Sequence, residues 1–365
     1  MKTNKAFKYR FYPTVTQQEM LAKTFGCVRV VYNHLLDWRG KEYSLHGNKI
    51  NYTKTSAKLT ELKQDENYKW LNDVSSVALQ QALRNQDMAF SDFFNKRAKY
   101  PNFKCKGNNQ SFNLMGSAFR VKDGQVYIAK SSEPLNIKWS RQLLGKVGSL
   151  TISKDCANRY FVSFCASEVE IESKPIVEKT VGIDLGLTDF AITSDGEKFK
   201  PLKALLKYQH RLARAQRQLA KKAKGSNNRN KARIKVSRIH NKITDSRKDF
   251  LHKLSTKLIN ENQVICLEDL NIAGMVKNHK LAKHISDASW SEFVRQLEYK
   301  ASWYGKAISK VSLWYPSSQI CSDCGHNEGK KPLNVRKWDC ICGVTHDRDI
   351  NASKNILTAG LAELL

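Results

Sequence analysis

The sequence predicts an α/β protein of more than one domain, in which a small β-barrel interrupted by helices precedes a second domain with short strands of its own. Three observations support this prediction. The chain has 365 residues, of which 41% are hydrophobic, so it can form two or three compact cores. Residues 7–11 and 116–172 alternate apolar and polar side chains as half-buried strands do, whereas residues 16–115 carry mainly helical patterns. Beyond residue 180, short apolar runs end in an acid.

The chain is strongly basic, with 62 Lys and Arg against 34 Asp and Glu, which gives a formal net charge of +28. Such an excess opposes compaction unless an extended anion accompanies the protein, and nucleic acid is the partner that it favours. A basic enzyme without such a partner is the alternative. The N-terminus lacks the apolar run of a secretory signal, and no apolar stretch approaches the roughly 18 residues that a membrane span needs, so we expect an intracellular protein with no membrane partner.

The first domain should begin with a strand and continue with a helix. Residues 7–11 have strand alternation, and Pro13 ends that strand. Thr16 with Glu19 three residues later has the pattern of a capping box and predicts the helix start there. Asp123-Gly124 between alternating runs predicts a hairpin turn.

Three acids stand at the ends of apolar elements. Asp184 closes the run 180–184, and the alternating run 190–193 that follows suggests an antiparallel hairpin. Glu268 follows four apolar residues of a buried strand, and Asp349 stands at the start of an amphipathic helix. A carboxylate in such surroundings is costly unless it is paired or binds a metal ion.

Brought together, three carboxylates would repel one another, and a pair of divalent cations would neutralise them. Carboxylates select Mg²⁺ or Mn²⁺, and two such ions can support hydrolysis of a phosphodiester. Taken alone, an acid at this position is more often a cap or a strand-end residue. Asp347 is a rival to Asp349, and we interpret it as a capping or supporting carboxylate.

Residues 201–250 are expected to form a basic helical hairpin. They hold 16 Lys or Arg against Asp245 and Asp249, with a break near Gly225. A charged run is usually a solvated helix face, but solvated faces mix both signs. A run of one sign over this length favours contact with phosphates.

Two cysteine pairs near the C-terminus have the pattern of a zinc ribbon, because two turns that each present two thiolates complete a tetrahedron. The second pair is one residue tighter than usual, so His326 or His346 is a possible substitute ligand. A redox dithiol is the alternative interpretation. The four cysteines are Cys321, Cys324, Cys340 and Cys342. The other five stand singly and are expected to be small buried residues: Cys27, Cys105, Cys156, Cys165 and Cys266.

In this order and spacing, the motifs resemble the TnpB family, proteins of bacterial insertion sequences that are related to type V CRISPR effectors. The resemblance extends over essentially the whole chain. It rests on Gly182-Ile183-Asp184-Leu185-Gly186, Leu267-Glu268-Asp269-Leu270, Cys321-Ser322-Asp323-Cys324-Gly325 and Asp347-Arg348-Asp349-Ile350-Asn351-Ala352, with Asn4-Lys5-Ala6-Phe7 and Val31-Tyr32-Asn33 near the start.

The resemblance implies an RNase H-like RuvC domain with a zinc-ribbon insert, preceded by a wedge β-barrel that a helical recognition domain interrupts. The implied boundaries are 1–15 and 116–172 for the wedge, 16–115 for the recognition insert, 173–179 for a linker, 180–365 for RuvC and 316–345 for the ribbon.

The resemblance also implies an RNA-guided DNA endonuclease that cleaves by two-metal-ion hydrolysis next to a short transposon-adjacent motif. Its partners would be a guide RNA from the transposon end and target double-stranded DNA, with the protein a monomer on its RNA in the bacterial cytoplasm or nucleoid. The implied roles are Asp184, Glu268 and Asp349 as catalytic acids on two Mg²⁺ or Mn²⁺ ions, the four paired cysteines as ligands of one structural Zn²⁺, and Tyr52, Ser56 and Gln80 as readers of the DNA motif.

Two rival functions fit the same residues. An RNA-independent transposase could use the three acids to join DNA ends. A zinc-ribbon protein that binds DNA or RNA could regulate or repress transposition without any cleavage. Copurified RNA would separate the first function from both rivals, and loss of activity on Asp184→Ala would separate an enzyme from a binding protein.

Overall fold

The computed structural model describes residues 2–332 and 334–364. They form two compact units, which adjoin in the sequence at Glu170 and Ile171. Each unit has its own sheet and its own core.

The first unit combines strands with three α-helices. In chain order its elements are β1 (Lys2–Phe11), α1 (Val15–His46), α2 (Tyr52–Gln64), a 3-10 helix (Glu66–Asp73), α3 (Ser76–Phe94), β2 (Gln110–Met115), β3 (Phe119–Lys122), β4 (Gln125–Ile128), β5 (Ile137–Lys138), β6 (Lys146–Lys154) and β7 (Tyr160–Glu170). One antiparallel sheet has the order β2-β6-β7-β1-β5, and β3 pairs with β4 in a separate hairpin.

The first strand follows the predicted alternation. Phe7, Tyr9 and Phe11 are buried in the core, while Lys8 and Arg10 alternate with them. The strand pairs along its length with β7. The early strand and the late strands therefore share one sheet across the helical insert, as the patterns predicted.

The predicted start of the first helix was wrong by two residues. Thr14, not Thr16, is the N-cap, and the capping box joins it to Gln17 rather than to Glu19. Thr14 immediately follows Pro13 and is itself extended, so its side chain is already placed to accept from the first turn.

The stretch predicted as the helical insert, 16–115, does not stay helical to its end. Gln110–Met115 is a strand that pairs with β6, and Phe112 and Leu114 bury their side chains in the first core. Within the residues that the structure describes, β2 and β5 are the sheet edges, so strand pairing leaves the sheet open rather than closed into a barrel. The tight turn between β3 and β4 was predicted correctly, with Asp123 and Gly124 both at positive φ.

The second unit contains a mixed five-stranded sheet with helices against it. In chain order its elements are β8 (Thr180–Asp184), β9 (Ala191–Thr193), β10 (Lys198–Phe199), α4 (Ala204–Ala220), α5 (Asn227–Glu261), β11 (Val264–Glu268), α6 (Ile272–Met275), α7 (Ala282–Ala288), α8 (Trp290–Tyr304), β12 (Ala307–Val311), β13 (Lys337–Asp339), β14 (Thr345–Asp347) and α9 (Arg348–Ala362).

The main sheet of this unit has the order β10-β9-β8-β11-β12. Strands β8, β11 and β12 are parallel, whereas β9 returns antiparallel to β8, which confirms the predicted hairpin. Helices α5 and α8 pack together and enclose a core that includes Trp290, Phe293 and Leu297. Strands β13 and β14, which lie between β12 and α9 in the sequence, form a small antiparallel pair.

The predicted basic hairpin is present as α4 and α5, which contact each other along the hairpin and are joined through Gly225 at positive φ. No helix in the described ranges is both long and apolar enough to cross a bilayer. Among the single cysteines, Cys27 and Cys266 are buried as expected, but Cys105 and Cys165 are exposed, so the expectation of burial was wrong for those two.

Candidate active site

Asp184 and Glu268 lie side by side at one edge of the second sheet. Each is the last residue of its strand, and the parallel register pairs Leu267 of β11 with Ile183 of β8. The carboxyl ends of parallel strands lie at the same edge of a sheet, so both acids project from that edge of the second sheet.

Asp349 reaches the same edge from a different element, the first turn of α9. This helix lies so close to β8 and β11 that side chains are excluded at two points. A Cβ on Gly182 would be 2.0 Å from the Ser353 carbonyl oxygen, and a Cβ on Gly360 would be 2.6 Å from the Cys266 sulfur. Glycine at both positions allows the helix to bring its N-terminus to the strand ends.

The three acids share one electrostatic environment. Burial, and then the nearby charges of Glu268 and Asp349, raise the pKa of the Asp184 carboxyl to about 7, although Arg348 acts in the opposite direction. Asp184 therefore experiences the charge of both other carboxylates.

The spacing of the three carboxyls differs from that of the paired cysteines. In the part of the chain that the structure describes, the oxygens of these three acids do not all lie within 4.8 Å of one another, a limit that the paired cysteines meet. The structure thus brings the predicted acids to one edge without placing all of their oxygens within that limit.

Asp347 has a different structural role from Asp349. Its side chain caps α9 by accepting from the Asp349 and Ile350 N–H groups at 3.1 and 3.2 Å, and it pairs with Lys198 at 2.6 Å. The Lys198 ammonium and these N–H groups lower the pKa of Asp347 in spite of its partial burial. The interpretation of Asp347 as a capping carboxylate is confirmed.

Two residues at this edge were not predicted from the sequence. The Ser317 hydroxyl donates to Glu268 Oε1 at 2.6 Å, and the Arg336 Nη1 donates to both oxygens of Asp349 at 3.1 and 3.2 Å. Both residues belong to the segment between β12 and α9, which also holds the cysteines. No spacing or periodicity in the sequence relates them to the acids, so only the folded chain identifies them.

The four paired cysteines converge on one point. Their sulfurs all lie within 4.8 Å of one another, and this cluster can hold a metal ion. Cys321 is 3.8 Å from Cys342, and Cys324 is 3.6 Å from Cys340, so the tight second pair does not prevent convergence. The glycine that follows each pair has a positive φ, which lets the chain turn back after the second thiol.

The His346 ring lies beside this cluster, whereas, among the described residues, the His326 ring belongs to neither possible ligand group. The His346 Nε2 is 3.0 Å from Cys321 Sγ, and these two residues form a second possible ligand group with Asp323. His326 instead lies 3.8 Å from Glu328. Burial raises the pKa of the Cys321 thiol, but N–H groups of Cys324 and Asp323 and the His346 ring outweigh it and lower the pKa to about 6, which favours the thiolate that binds metal.

Tyr52, Ser56 and Gln80 all lie on helices of the first unit. Tyr52 and Ser56 are on the first two turns of α2, and Gln80 is exposed on α3. The Arg84 guanidinium of α3 lies 5.1 Å from the centre of the Tyr52 ring, so the start of α2 faces α3.

The basic hairpin contains a cleft of about 630 Å³ between α4 and α5. Among the residues that the structure describes, its lining has no carboxylate and five cations: Arg211, Arg214, Lys222, Lys231 and Lys235. A cleft of this charge suits phosphate groups.

Three family models match the chain. A helix-turn-helix domain of the OrfB_IS605 group matches residues 1–48, the OrfB_IS605 family described as "Probable transposase" matches residues 163–279, and the Cas12f1-like TNB domain matches residues 290–356. Together they span both units. The acids Asp184 and Glu268 fall in the second match, and Asp349 and the four cysteines fall in the third.

Curated relatives match over nearly the full length. A candidate RNA-guided DNA endonuclease of Streptomyces pristinaespiralis is 49% identical over 99% of this chain and 90% of its own. InsQ, a candidate RNA-guided DNA endonuclease of Escherichia coli strain K12, is 34% identical, and the match covers 100% of this chain and 94% of the InsQ chain.

The solved structure of Cas12f1 with its single guide RNA and target DNA shares the fold. It is 13% identical, with a TM-score of 0.59 over 97% of this chain and 98% of that one. The mixed α/β architecture described above is therefore shared with Cas12f1. With two near full-length relatives above 30% identity and the match to the OrfB_IS605 model, the chain belongs to the TnpB (OrfB_IS605) family.

Proposed function

We propose that this protein is an RNA-guided DNA endonuclease that hydrolyses target DNA at Asp184, Glu268 and Asp349. The observation that carries the proposal is the convergence of these acids at one sheet edge, where the pKa of Asp184 rises to about 7. Two near full-length relatives bear the name of this activity.

The donor set fits divalent cations. All three groups are carboxylates, the ligands that Mg²⁺ and Mn²⁺ prefer, and a buried carboxyl repelled by two others gains from a cation. A pair of such ions in general lies about 3.5–4 Å apart and would be shared by the three carboxyls. When bound, such ions would supply an activated water and stabilise the departing 3′ oxygen.

The chain's own residues hold and orient the reacting groups. Asp184 is partly buried and experiences the charge of the other two acids, the Ser317 hydroxyl donates to Glu268, and the capping carboxylate of Asp347 fixes the first turn that carries Asp349. The Arg336 guanidinium brings positive charge to the same edge, where a DNA phosphate would have to bind. Hydrolysis joins a water oxygen to phosphorus and releases the 3′ oxygen as an alcohol, so no protein nucleophile is required.

The cysteine cluster would hold one structural Zn²⁺. Four thiols within 4.8 Å of one another suit its tetrahedral preference, and strands of three residues give the ribbon little core of its own. The cysteines belong to the same segment as Ser317 and Arg336. A metal ion bound by them would therefore stabilise the fold that brings these two residues to the three acids.

Guide RNA and target DNA would bind mainly through their phosphates. The net charge of +28 and the cationic cleft of α4 and α5 support this assignment. Base pairing with the guide would then select the target. Tyr52, Ser56 and Gln80 would read the adjacent DNA motif from α2 and α3, and the protein would act as a monomer on its RNA in the bacterial cytoplasm.

One experiment tests the proposal and separates it from its rivals. The purified protein should retain a discrete RNA, and with that RNA and Mg²⁺ it should cut a duplex that matches the guide portion. Asp184→Asn should abolish cutting, whereas Asp195→Asn, which removes an ion pair with Lys179, should cut normally. Strand joining without RNA would indicate a transposase, and bound nucleic acid without cleavage would indicate a regulator.

A further inference from the structure

The segment that leads from β12 into the cysteine cluster touches the acid edge at one serine. Ser317 is 6% exposed, and its hydroxyl donates to Glu268 Oε1 at 2.6 Å. Because a glutamate side chain has three rotatable bonds, an isolated Glu268 at a strand end would sample several rotamers. A buried hydroxyl donor selects one of these rotamers.

Ser317 is itself held by α9, the helix that carries Asp349. The Asn355 Nδ2 donates to the Ser317 carbonyl at 2.8 Å and to the Ile320 carbonyl at 2.7 Å. The Asn351 side chain donates to the same Ile320 carbonyl at 2.7 Å and accepts from the Ser322 N–H at 2.9 Å.

The two asparagines are buried in the interior, with exposures of 0% for Asn351 and 4% for Asn355. Buried amides of this kind are costly unless they are hydrogen-bonded, so these bonds hold the segment firmly to α9. Glu268 and Asp349 are therefore linked through one helix, because α9 carries Asp349 directly and holds Glu268 through Ser317.

We propose that Ser317 is a positioning residue that fixes Glu268 for cation binding, and that α9 sets the spacing of Glu268 and Asp349 through it. The inference rests on the proposed function of the three acids. It means that the start of the segment between β12 and α9 helps to position the acids, in addition to leading into the cysteine cluster.

The test measures cation binding without cleavage. Mn²⁺ is titrated into the full-length protein with its copurified RNA, and free Mn²⁺ is followed by electron paramagnetic resonance. Ser317→Ala and Ser317→Val should each weaken Mn²⁺ binding about tenfold, the low end of the range for groups that orient metal ligands. Ser317→Thr, which keeps the hydroxyl and has the shape of valine, should bind as the wild type does.

Ser318→Ala is the matched control at the neighbouring serine and should leave Mn²⁺ binding unchanged. Zinc content is measured for every variant. Retained zinc with weakened Mn²⁺ binding in the alanine and valine variants supports positioning. Loss of zinc from both of these variants would show that Ser317 acts in folding of the ribbon and would overturn the inference. So would Mn²⁺ binding by Ser317→Thr as weak as that by Ser317→Val.

The same titration separates failure of the inference about Ser317 from failure of the proposed acid site. If Asp184→Asn abolishes Mn²⁺ binding and Ser317→Val does not alter it, the inference about Ser317 fails alone. If the wild type and Asp184→Asn bind Mn²⁺ equally, the proposed acid site fails, and the inference fails with it.

Discussion

Gly182 of β8 lies against Ser353 of α9 so closely that a Cβ on the glycine would be 2.0 Å from the serine carbonyl oxygen. This contact sets the height of α9 above the sheet and therefore the distance from Asp349 to Asp184. A backbone carbonyl cannot move aside as a flexible side chain can, so residue 182 must be glycine for the site to assemble.

Gly182→Ala should therefore separate α9 from the sheet. We expect the free energy of unfolding to fall by about 3 kcal/mol, the upper part of the usual range for overpacking, and cleavage to be lost. Thermal melting measures the first effect. Gly148→Ala is the control in a strand of the other unit, where the new Cβ would meet its nearest atom at 4.0 Å. Equal melting temperatures for the two variants would contradict this account of α9.

The raised pKa of Asp184 predicts how stability depends on pH in the absence of Mg²⁺ and Mn²⁺. The folded protein keeps a proton on this carboxyl up to about pH 7, whereas the unfolded chain releases it near the ordinary value of 3.8. The folded state thus binds more protons between these values, so stability falls as pH rises through them, by at most about 4 kcal/mol.

Asp184→Asn removes this contribution and should flatten the stability profile between about pH 4 and pH 7. Urea unfolding at several pH values, with zinc retained in the cysteine cluster, measures the difference. A variant profile parallel to that of the wild type would show that the acids do not share a dry site.

Arg336→Ala should lower cleavage about tenfold or more at saturating Mn²⁺, because the guanidinium at Asp349 is lost where the phosphate must bind. The melting temperature should change little, since the ion pair is half-exposed. Lys337→Ala, the exposed neighbour, is the control and should cleave normally. Single-turnover cleavage rates decide between these outcomes.

Cys342→Ser should release the metal of the cysteine cluster and lower the melting temperature. Cys165→Ser removes an exposed thiol outside the cluster and should do neither. Zinc content per chain and thermal melting check both variants. If the Cys342 variant kept full zinc, the tighter second pair would not be supplying its second thiolate, and His346 would be the replacement to test next.

The double variant Lys231→Gln and Lys235→Gln should weaken binding of an RNA–DNA hybrid and reduce the slope of log affinity against log salt by about 2, one for each lost phosphate contact. Lys253→Gln, on the same helix but paired with Asp249, is the control and should reduce that slope less. Titrations between about 50 and 200 mM salt measure the slope. An unchanged slope in the double variant would mean that the cleft does not hold phosphates.

Local patterns were enough to predict the elements that carry the site. The apolar runs before Asp184 and Glu268 specify strands, and the two cysteine pairs predict a shared metal cluster, because each signal lies within a few residues. The helix start at Thr14 was missed because two overlapping capping patterns exist, and the one directly after Pro13 formed.

Contacts between distant segments could not be predicted in the same way. Ser317 reaches Glu268 across 49 positions of sequence, and Arg336 reaches Asp349 only because the ribbon segment folds back on α9. The strand Gln110–Met115 was assigned to a helical region because its pairing partner lies in β6, far along the chain. Tertiary pairing decides such cases, and a single sequence does not display it.

The most direct test of the shared acid site is an equilibrium count of bound Mn²⁺. Wild-type protein should bind two ions per chain beyond its zinc, and each of Asp184→Asn, Glu268→Gln and Asp349→Asn should lose this binding while the zinc remains. If all three variants bound Mn²⁺ as the wild type does, the three carboxyls would not form one metal site, and the account of this protein as a metal-dependent nuclease would be wrong.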